Sequence, residues 1–436
     1  MGIFSRRIVK RFLEENRRFL SEAKINFQIR HLNGSSPVQR LTTEWEVAVL
    51  NALYKLGLDP EYEPRLDGAT SAPDVLVRHL GKQALIDITT ASDRGLDDEN
   101  PYDRLSEELI RRIRERGLNP NKFGLKIEGN WRELHLGGPK PRLLMPRASD
   151  FDRVVFDESF SNFLDEVAVS DRKASFHPAA DSSRGVLITF DPAQQFFSGT
   201  HLDYTVAFTG NKNPVYNRLD AKASQLKKAG FKGLKGIILC DGACGLLAKD
   251  GRRGMDLGAN QIIFGFLQSE PQIDFVLVLR VKSDGSHFLG PEHLKITSEM
   301  LISRADLGSD PLITRLRGIA HELPPPETTP LNGYSTEDAG KSFYGGGTMA
   351  GHKVKISARA VLGVLSGQTK QEDFARDNDI FVEAFRRMAS QGRVISDAKI
   401  EHVADRDDDW IEFAFSEEVD PATAPFALKQ DNVTSA

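Results

Sequence analysis

The sequence predicts an α/β fold, a mixed β-sheet flanked by helices, with an α+β domain at the C-terminal end. Three observations carry that expectation. A helical pattern at Thr43 to Leu56 leads into short β-type runs at about 60–66, 74–79 and 84–90. A second helical pattern, Pro214 to Ala229, leads into the strand-like "GIILC". A Pro- and Gly-rich stretch, 322–353, then precedes helices near 356–366 and 370–391 and strands near 393–403 and 410–415. Helix, strands, helix and strand in this order indicate layers of helix on a mixed sheet.

With 436 residues, the chain exceeds one small core, and two to three domains are expected. The divisions read as an amphipathic helix at 1–39, a main α/β domain at 40–250 with an insertion at about 130–185, and a β-containing extension at 251–321. The Pro/Gly-rich linker 322–353 and a small α+β region with a polar tail, 354–436, follow. A composition of 40% hydrophobic and 27% charged residues is ordinary for a globular protein. The net charge of −5 argues against coating nucleic acid by bulk attraction, though a local site can still be basic. Cys240 and Cys244, the two cysteines, make neither a zinc site nor a disulfide framework and read as free thiols. The start "MGIFSRRIVK" lacks a signal-peptide core, and no apolar run approaches the roughly 20 residues that span a bilayer. A cytoplasmic protein without a membrane partner is expected.

In chain order, residues 3–31 read as one amphipathic helix, with Ile8, Phe12 and Phe19 at helical spacing beside Val9, Leu13 and Leu20. Residues 1–40 carry nine Lys/Arg against three Asp/Glu, a local +6. That charge reads as the solvated face of a docking helix or as a contact to nucleic acid. The helix Thr43 to Leu56 ends at Gly57, a C-terminal cap. After the three short strands come a charged helix at about 102–116 and a strand at "FGLKIEG". Residues 130–185 show no clear period. "RGVLITF" and "IDFVLVLRV" read as strands, and "EHVADRDDDWIEFAFSEEVD", nine acids in twenty residues, as a solvated strand edge.

The run "SAPDVLVRHLGKQALIDITTASDRG", 71–95, carries the chemistry. Two apolar strands around a tight turn hold one acid each, Asp74 and Asp87. A two-residue turn at Leu80-Gly81 puts Asp74 opposite Asp87; a turn at Gly81-Lys82 puts Asp74 opposite Thr89. In both registers the two acids share a face, because side chains alternate along a strand. A three-residue turn would split them. The other face, Val75, Val77, Ile86 and Ile88, is a core. Two close carboxylates repel unless something compensates them, and a divalent cation that prefers hard oxygen ligands, Mg²⁺ or Mn²⁺, does so. The plainer alternative has Asp74 capping a turn after Pro73 and Asp87 at a solvated strand end.

The arrangement resembles the PD-(D/E)XK, or restriction endonuclease-like, nuclease superfamily. The matching pieces are Glu46 in "EWEVAVLNALYKLG", Pro73-Asp74, and Asp87-Ile88-Thr89, over roughly residues 40–130 with a looser continuation to about 245. The resemblance implies a restriction-endonuclease-like mixed sheet in which Asp74, Asp87 and the Ile88 carbonyl bind the metal and Glu46 joins directly or through water. Glu44 is the competing helix acid. The departure is Thr89, which stands at the signature lysine position and cannot supply a positive charge.

The replacement is sought in "NPVYNRLDAKASQLKKAGFKG". Val215, Leu219 and Leu226 form an apolar stripe whose missing position is Lys222. A lysine in a core stripe must snorkel or meet a buried anion. Its K-x-x-Q sequence also looks like a segment of relatives of this nuclease fold, which implies Lys222 as the substitute and Gln225 as its support. Lys82 and Lys126 rank behind it.

"GGGTMAGHKVK" is a poor phosphate loop because His352 separates Gly351 from Lys353, and His287 and His293 of "SHFLGPEHLK" lack further ligands. The resemblance thus implies a metal-dependent DNA endonuclease, with bacterial defence as its setting by analogy. The C-terminal half would serve substrate choice, a protein partner or a homodimer contact. The alternative is a catalytically degenerate nuclease fold acting as a nucleic-acid- or protein-binding accessory subunit.

Overall fold

The helix expected from Thr43 begins earlier, at Pro37, and runs to Lys55. Ser36 caps its first turn through Gln39 N–H, and Pro37 occupies a position where a missing N–H costs nothing. It stops before Gly57, whose φ of 69° suits a residue without a Cβ. The computed structural model describes residues 2–34, 36–66, 73–134, 138–170, 172–179, 184–207, 209–248, 257–283, 294–330, 347–420 and 422. They form two compact units. The larger is Asn16–Pro325 with Thr329–Leu331, and the smaller joins Met1–Glu15, Pro326–Thr328 and Asn332–Ala436.

In the larger unit a six-stranded mixed sheet has the order β1 (Glu61–Tyr62), β2 (Val75–His79), β3 (Lys82–Ala91), β10 (Leu234–Asp241), β11 (Phe275–Ser283) and β12 (Leu294–Ile302). β3, β10 and β11 are parallel neighbours, and the other pairings are antiparallel. The hairpin turns on Leu80 and Gly81, both left-handed at φ 48° and 76°, the geometry of a two-residue primed turn. Val75 pairs with Ile86, so the first of the two expected registers is the one formed. Between β3 and β10 the Pro214–Lys228 helix lies against the face carrying Leu76, Leu85, Ile237 and Leu239. Its fully buried Val215, Leu219 and Leu226 contribute about 1.5–3 kcal/mol apiece.

A second sheet follows the order β7 (Ala174–Phe176), β8 (Val186–Phe190), β4 (Phe123–Ile127) and β9 (Ser198–His201), and β5 (Gly129–Leu134) pairs with β6 (Gly138–Leu143). The helices Tyr102–Glu115 and Glu158–Ala168 share its core, around Leu105, Leu109, Phe123, Phe160 and Phe190. The "FGLKIEG" strand therefore belongs to a separate sheet, not to the one bearing the acids. Strands and helices also occupy the stretch 130–185 that shows no period in sequence.

The single helix expected over 3–31 is two, Arg6–Asn16 and Glu22–Leu32. Buried Asn16 ends the first: its carbonyl takes the N–H groups of Phe19 and Leu20, and its side chain donates to Val47 O and accepts from Asn51. In the smaller unit β13 (Gly347–Ala350), β14 (Lys353–Ser357), β16 (Trp410–Phe415) and β15 (Ile395–Glu401) form an antiparallel sheet in that order. Residues 347–353, expected as linker, thus belong to a hairpin. The linker's centre, 331–346, and the end of the polar tail, 423–436, lie outside the described residues.

The acidic run is not merely a solvated edge. Asp407 is buried and accepts from the N–H groups of Arg6 (2.8 Å) and Arg7 (3.0 Å), closing the start of the first helix. Asp409 takes the Arg7 guanidinium at 2.8 and 3.1 Å, and Asp405 takes Arg11 at 2.7 Å. Among the described residues, no helix is long and apolar enough to cross a membrane.

Candidate functional site

Asp74 stands one residue before the β2 ladder, and Asp87 lies mid-strand in β3. The Asp74 N–H donates to Asp87 Oδ1 at 3.0 Å, and the Ile88 N–H donates to Asp74 Oδ2 at 2.7 Å. These reciprocal bonds hold the carboxyl groups together where the hairpin opens. The Asp87 side chain is 0% exposed, and the Asp74 side chain 24%.

Lys222 completes the group. Its helix packs on the acids' face of the sheet, and its ammonium lies 3.1 Å from Asp74 Oδ2 and 3.6 Å from Asp87 Oδ1. Gln225, one turn on, accepts from the same ammonium at 3.3 Å. Burial works against the charge on Lys222, but the two carboxylates outweigh it and raise its pKa. The gap in the helix's apolar stripe is thus filled by a lysine with one buried and one half-buried anionic partner. The other candidates lie elsewhere: exposed Lys82 is 3.9 Å from Asp310, and Lys126 is exposed on β4.

One ammonium between two carboxylates leaves a negative charge in excess when both acids ionise. Burial, and after it the Asp74 charge, pushes Asp87 up to about 7, with Lys222 opposing. Asp87 Oδ2 is buried and, among the described residues, has no hydrogen-bond partner. Such an oxygen is costly unless a proton or a cation meets it. The orphaned oxygen and the all-oxygen donor set fit a hard divalent cation held by Asp74 and Asp87.

Glu46 is arranged differently. Its Oε1 accepts from the Tyr62 hydroxyl and from Gln28 Nε2, the latter at 3.3 Å. Burial raises its pKa to about 7; the Tyr62 bond opposes this and the Asp74 charge adds to it. Among the described residues, no group of three or more His, Cys, Asp or Glu is placed to hold a metal. The two carboxylates and the ammonium are therefore brought together, and Glu46 stands near them with hydrogen bonds of its own.

Gln28 and Tyr62 escape a sequence reading that looks for charges. Gln28 did leave a signal, since it and Ile25 are the buried residues of its helix, a polar side chain in an apolar stripe as at Lys222. The glycine-rich run ends in the β13–β14 hairpin, which turns at Gly351 (φ 61°), and not in a loop leading to a helix. His287 and His293 lie outside the described residues. Both cysteines are free and buried, and burial raises their pKa values well above the ordinary thiol's. Compared with family models, curated proteins and solved structures, the chain matches none.

Proposed function

We propose that the chain is a metal-dependent nuclease of restriction-endonuclease-like fold that hydrolyses DNA phosphodiester bonds. The observation that carries this reading is Lys222: an ammonium from a neighbouring helix reaches both hairpin acids, beside an orphaned carboxylate oxygen. The order of the parts agrees, with a helix bearing Glu46, a strand opening on Pro73-Asp74, and a strand bearing Asp87-Ile88-Thr89.

Asp74 and Asp87, with the Ile88 carbonyl, would hold Mg²⁺ or Mn²⁺, which when bound polarises a phosphate and lowers the pKa of coordinated water. Lys222 supplies the positive charge that Thr89 cannot, balancing charge at the attacking oxygen. Gln225 fixes the ammonium, and Glu46 orients the water side of the site. Defence against foreign DNA is the setting this chemistry would suit, by analogy alone.

Among the described residues no third acid joins the cluster, which favours a second reading, a degenerate nuclease fold that binds nucleic acid or a protein without cutting. Plasmid and single-stranded DNA incubated with Mg²⁺ or Mn²⁺ separate the two. The nuclease reading expects cleavage by the parent, and a loss of at least about a hundredfold in Asp87→Ala and Lys222→Ala. No cleavage by the parent, or equal cleavage by all three, removes it.

A further inference from the structure

The +6 of the first forty residues divides in the folded chain. Arg7 and Arg11 are taken up by Asp409 and Asp405 within the smaller unit. Residues 1–15 keep a net +2, Arg6, Arg7, Lys10 and Arg11 against Glu14 and Glu15, and the other +4 lies in the larger unit, where residues 16–40 hold Arg17, Arg18, Lys24, Arg30 and Arg40 against the single acid Glu22. Glu22 pairs with Arg17. Exposed Arg18 and Arg30 meet no carboxylate among the described residues.

The Glu22–Leu32 helix places this charge beside the candidate site. Gln28 reaches Glu46 at 3.3 Å. Lys24, one turn before, lies 4.9 Å from the centre of the Tyr62 ring, donates to the Tyr62 carbonyl and meets Glu63 at 4.0 Å, and Tyr62 in turn bonds Glu46. Further round the helix, Phe27 is 39% exposed, with the His31 ring 4.0 Å away and the Arg30 guanidinium 6.0 Å from its centre. A solvent-facing aromatic beside the exposed Arg30 guanidinium pairs stacking with attraction to phosphate, the combination that holds single-stranded nucleic acid.

We infer that the Glu22–Leu32 helix is a contact surface for a single-stranded segment of nucleic acid, with Arg30 on its phosphates and Phe27 against a base. The inference deepens the nuclease reading by naming the form of substrate that approaches Glu46 and the carboxylate pair. A run of net +4 on a chain of net −5 favours a polyanion as the occupant.

The test is binding, read apart from cutting. Full-length Asp87→Asn protein is titrated with a fluorescein-labelled oligothymidylate and with a duplex of the same length, over a range of salt. Single-strand binding is expected, and Arg30→Gln should lower the slope of log affinity against log salt by about 0.7, one phosphate contact. Phe27→Ser should weaken it at least about fivefold with the slope unchanged, while thermal melting stays as in the Asp87→Asn parent. Affinities and slopes that ignore both substitutions, a parent that binds neither DNA, or a loss confined to the duplex would overturn the inference. Binding that responds to the substitutions in a chain that never cuts leaves the surface standing and removes the nuclease reading. Cutting with unresponsive binding does the reverse.

Discussion

Two groups of acids in this chain are treated in opposite ways. In the smaller unit, Asp407 and Asp409 accept backbone and guanidinium hydrogen bonds, and Arg7 first of all lowers the Asp409 pKa. In the larger unit, Asp74 and Asp87 share one ammonium, Asp87 Oδ2 has no partner among the described residues, and Asp87 is pushed up to about 7. The first group is satisfied and ties a helix to residues some four hundred positions away. The second is short of positive charge in a buried place. Acid content is therefore a poor guide to chemistry, and what matters is whether each oxygen already has its donor.

The largest effect should come from Lys222. Lys222→Ala removes the cation shared by buried Asp87 and half-buried Asp74, so beyond its loss of cleavage it should destabilise the larger unit by about 3 kcal/mol at pH 8. The cost should shrink at pH 5, where a proton can replace the ammonium; urea unfolding at the two pH values checks this. A cost equal at both would mean the acids carry no net strain.

Next in size is the response to metal. Mg²⁺ or Mn²⁺ at a hundred times its dissociation constant should stabilise the parent by about 2.7 kcal/mol and leave Asp87→Asn unmoved in thermal melts. Asp407→Ala removes the acceptor from the first helix's N–H groups and should cost about 1–2 kcal/mol, whether or not metal is present. Hydrogen exchange, which reads each unit separately, should confine that loss to the smaller one.

The smallest effect is a contrast in pH dependence. Asp87 and Glu46, at about 7 in the folded chain and about 4 in an unfolded one, keep protons the unfolded chain has lost. Their contribution to stability therefore falls as pH rises from about 4 to about 7. Asp409 is shifted downward, so its contribution is present above about pH 4 and is lost as pH falls further. Metal-free exchange should show the strands around Asp87 loosening toward neutrality and the Arg7–Asp409 contact loosening toward acid. Glu327 of the smaller unit, pushed up to about 7 by burial, should follow the first trend. Parallel trends at the Asp87 strands and at the Arg7–Asp409 contact would erase the contrast.

Local signals made the hairpin legible. Leu80-Gly81 offered a two-residue turn, β-branched residues marked the core face, and a lysine interrupted an otherwise apolar helical stripe. Long-range pairing was not legible. "FGLKIEG" reads as a strand, yet nothing within it says that it joins β8 and β9 rather than β3. β12 hides in "LKITSEMLI", where every described side chain is exposed or half-buried, so no apolar alternation announces it. The acidic run concealed its role because its partners, Arg6, Arg7 and Arg11, begin the chain. Gln28 and Tyr62 carry no charge, and their part emerges only when Glu46 is seen between them.

Manganese binding tests the cation site most directly. Free Mn²⁺ can be followed by electron paramagnetic resonance while the chain is added. A single site per parent chain, lost in Asp87→Asn and weakened as pH falls below about 7 and a proton takes the orphaned oxygen, is the predicted result. A parent that binds no Mn²⁺, or an Asp87→Asn chain that binds it equally well, would contradict the account.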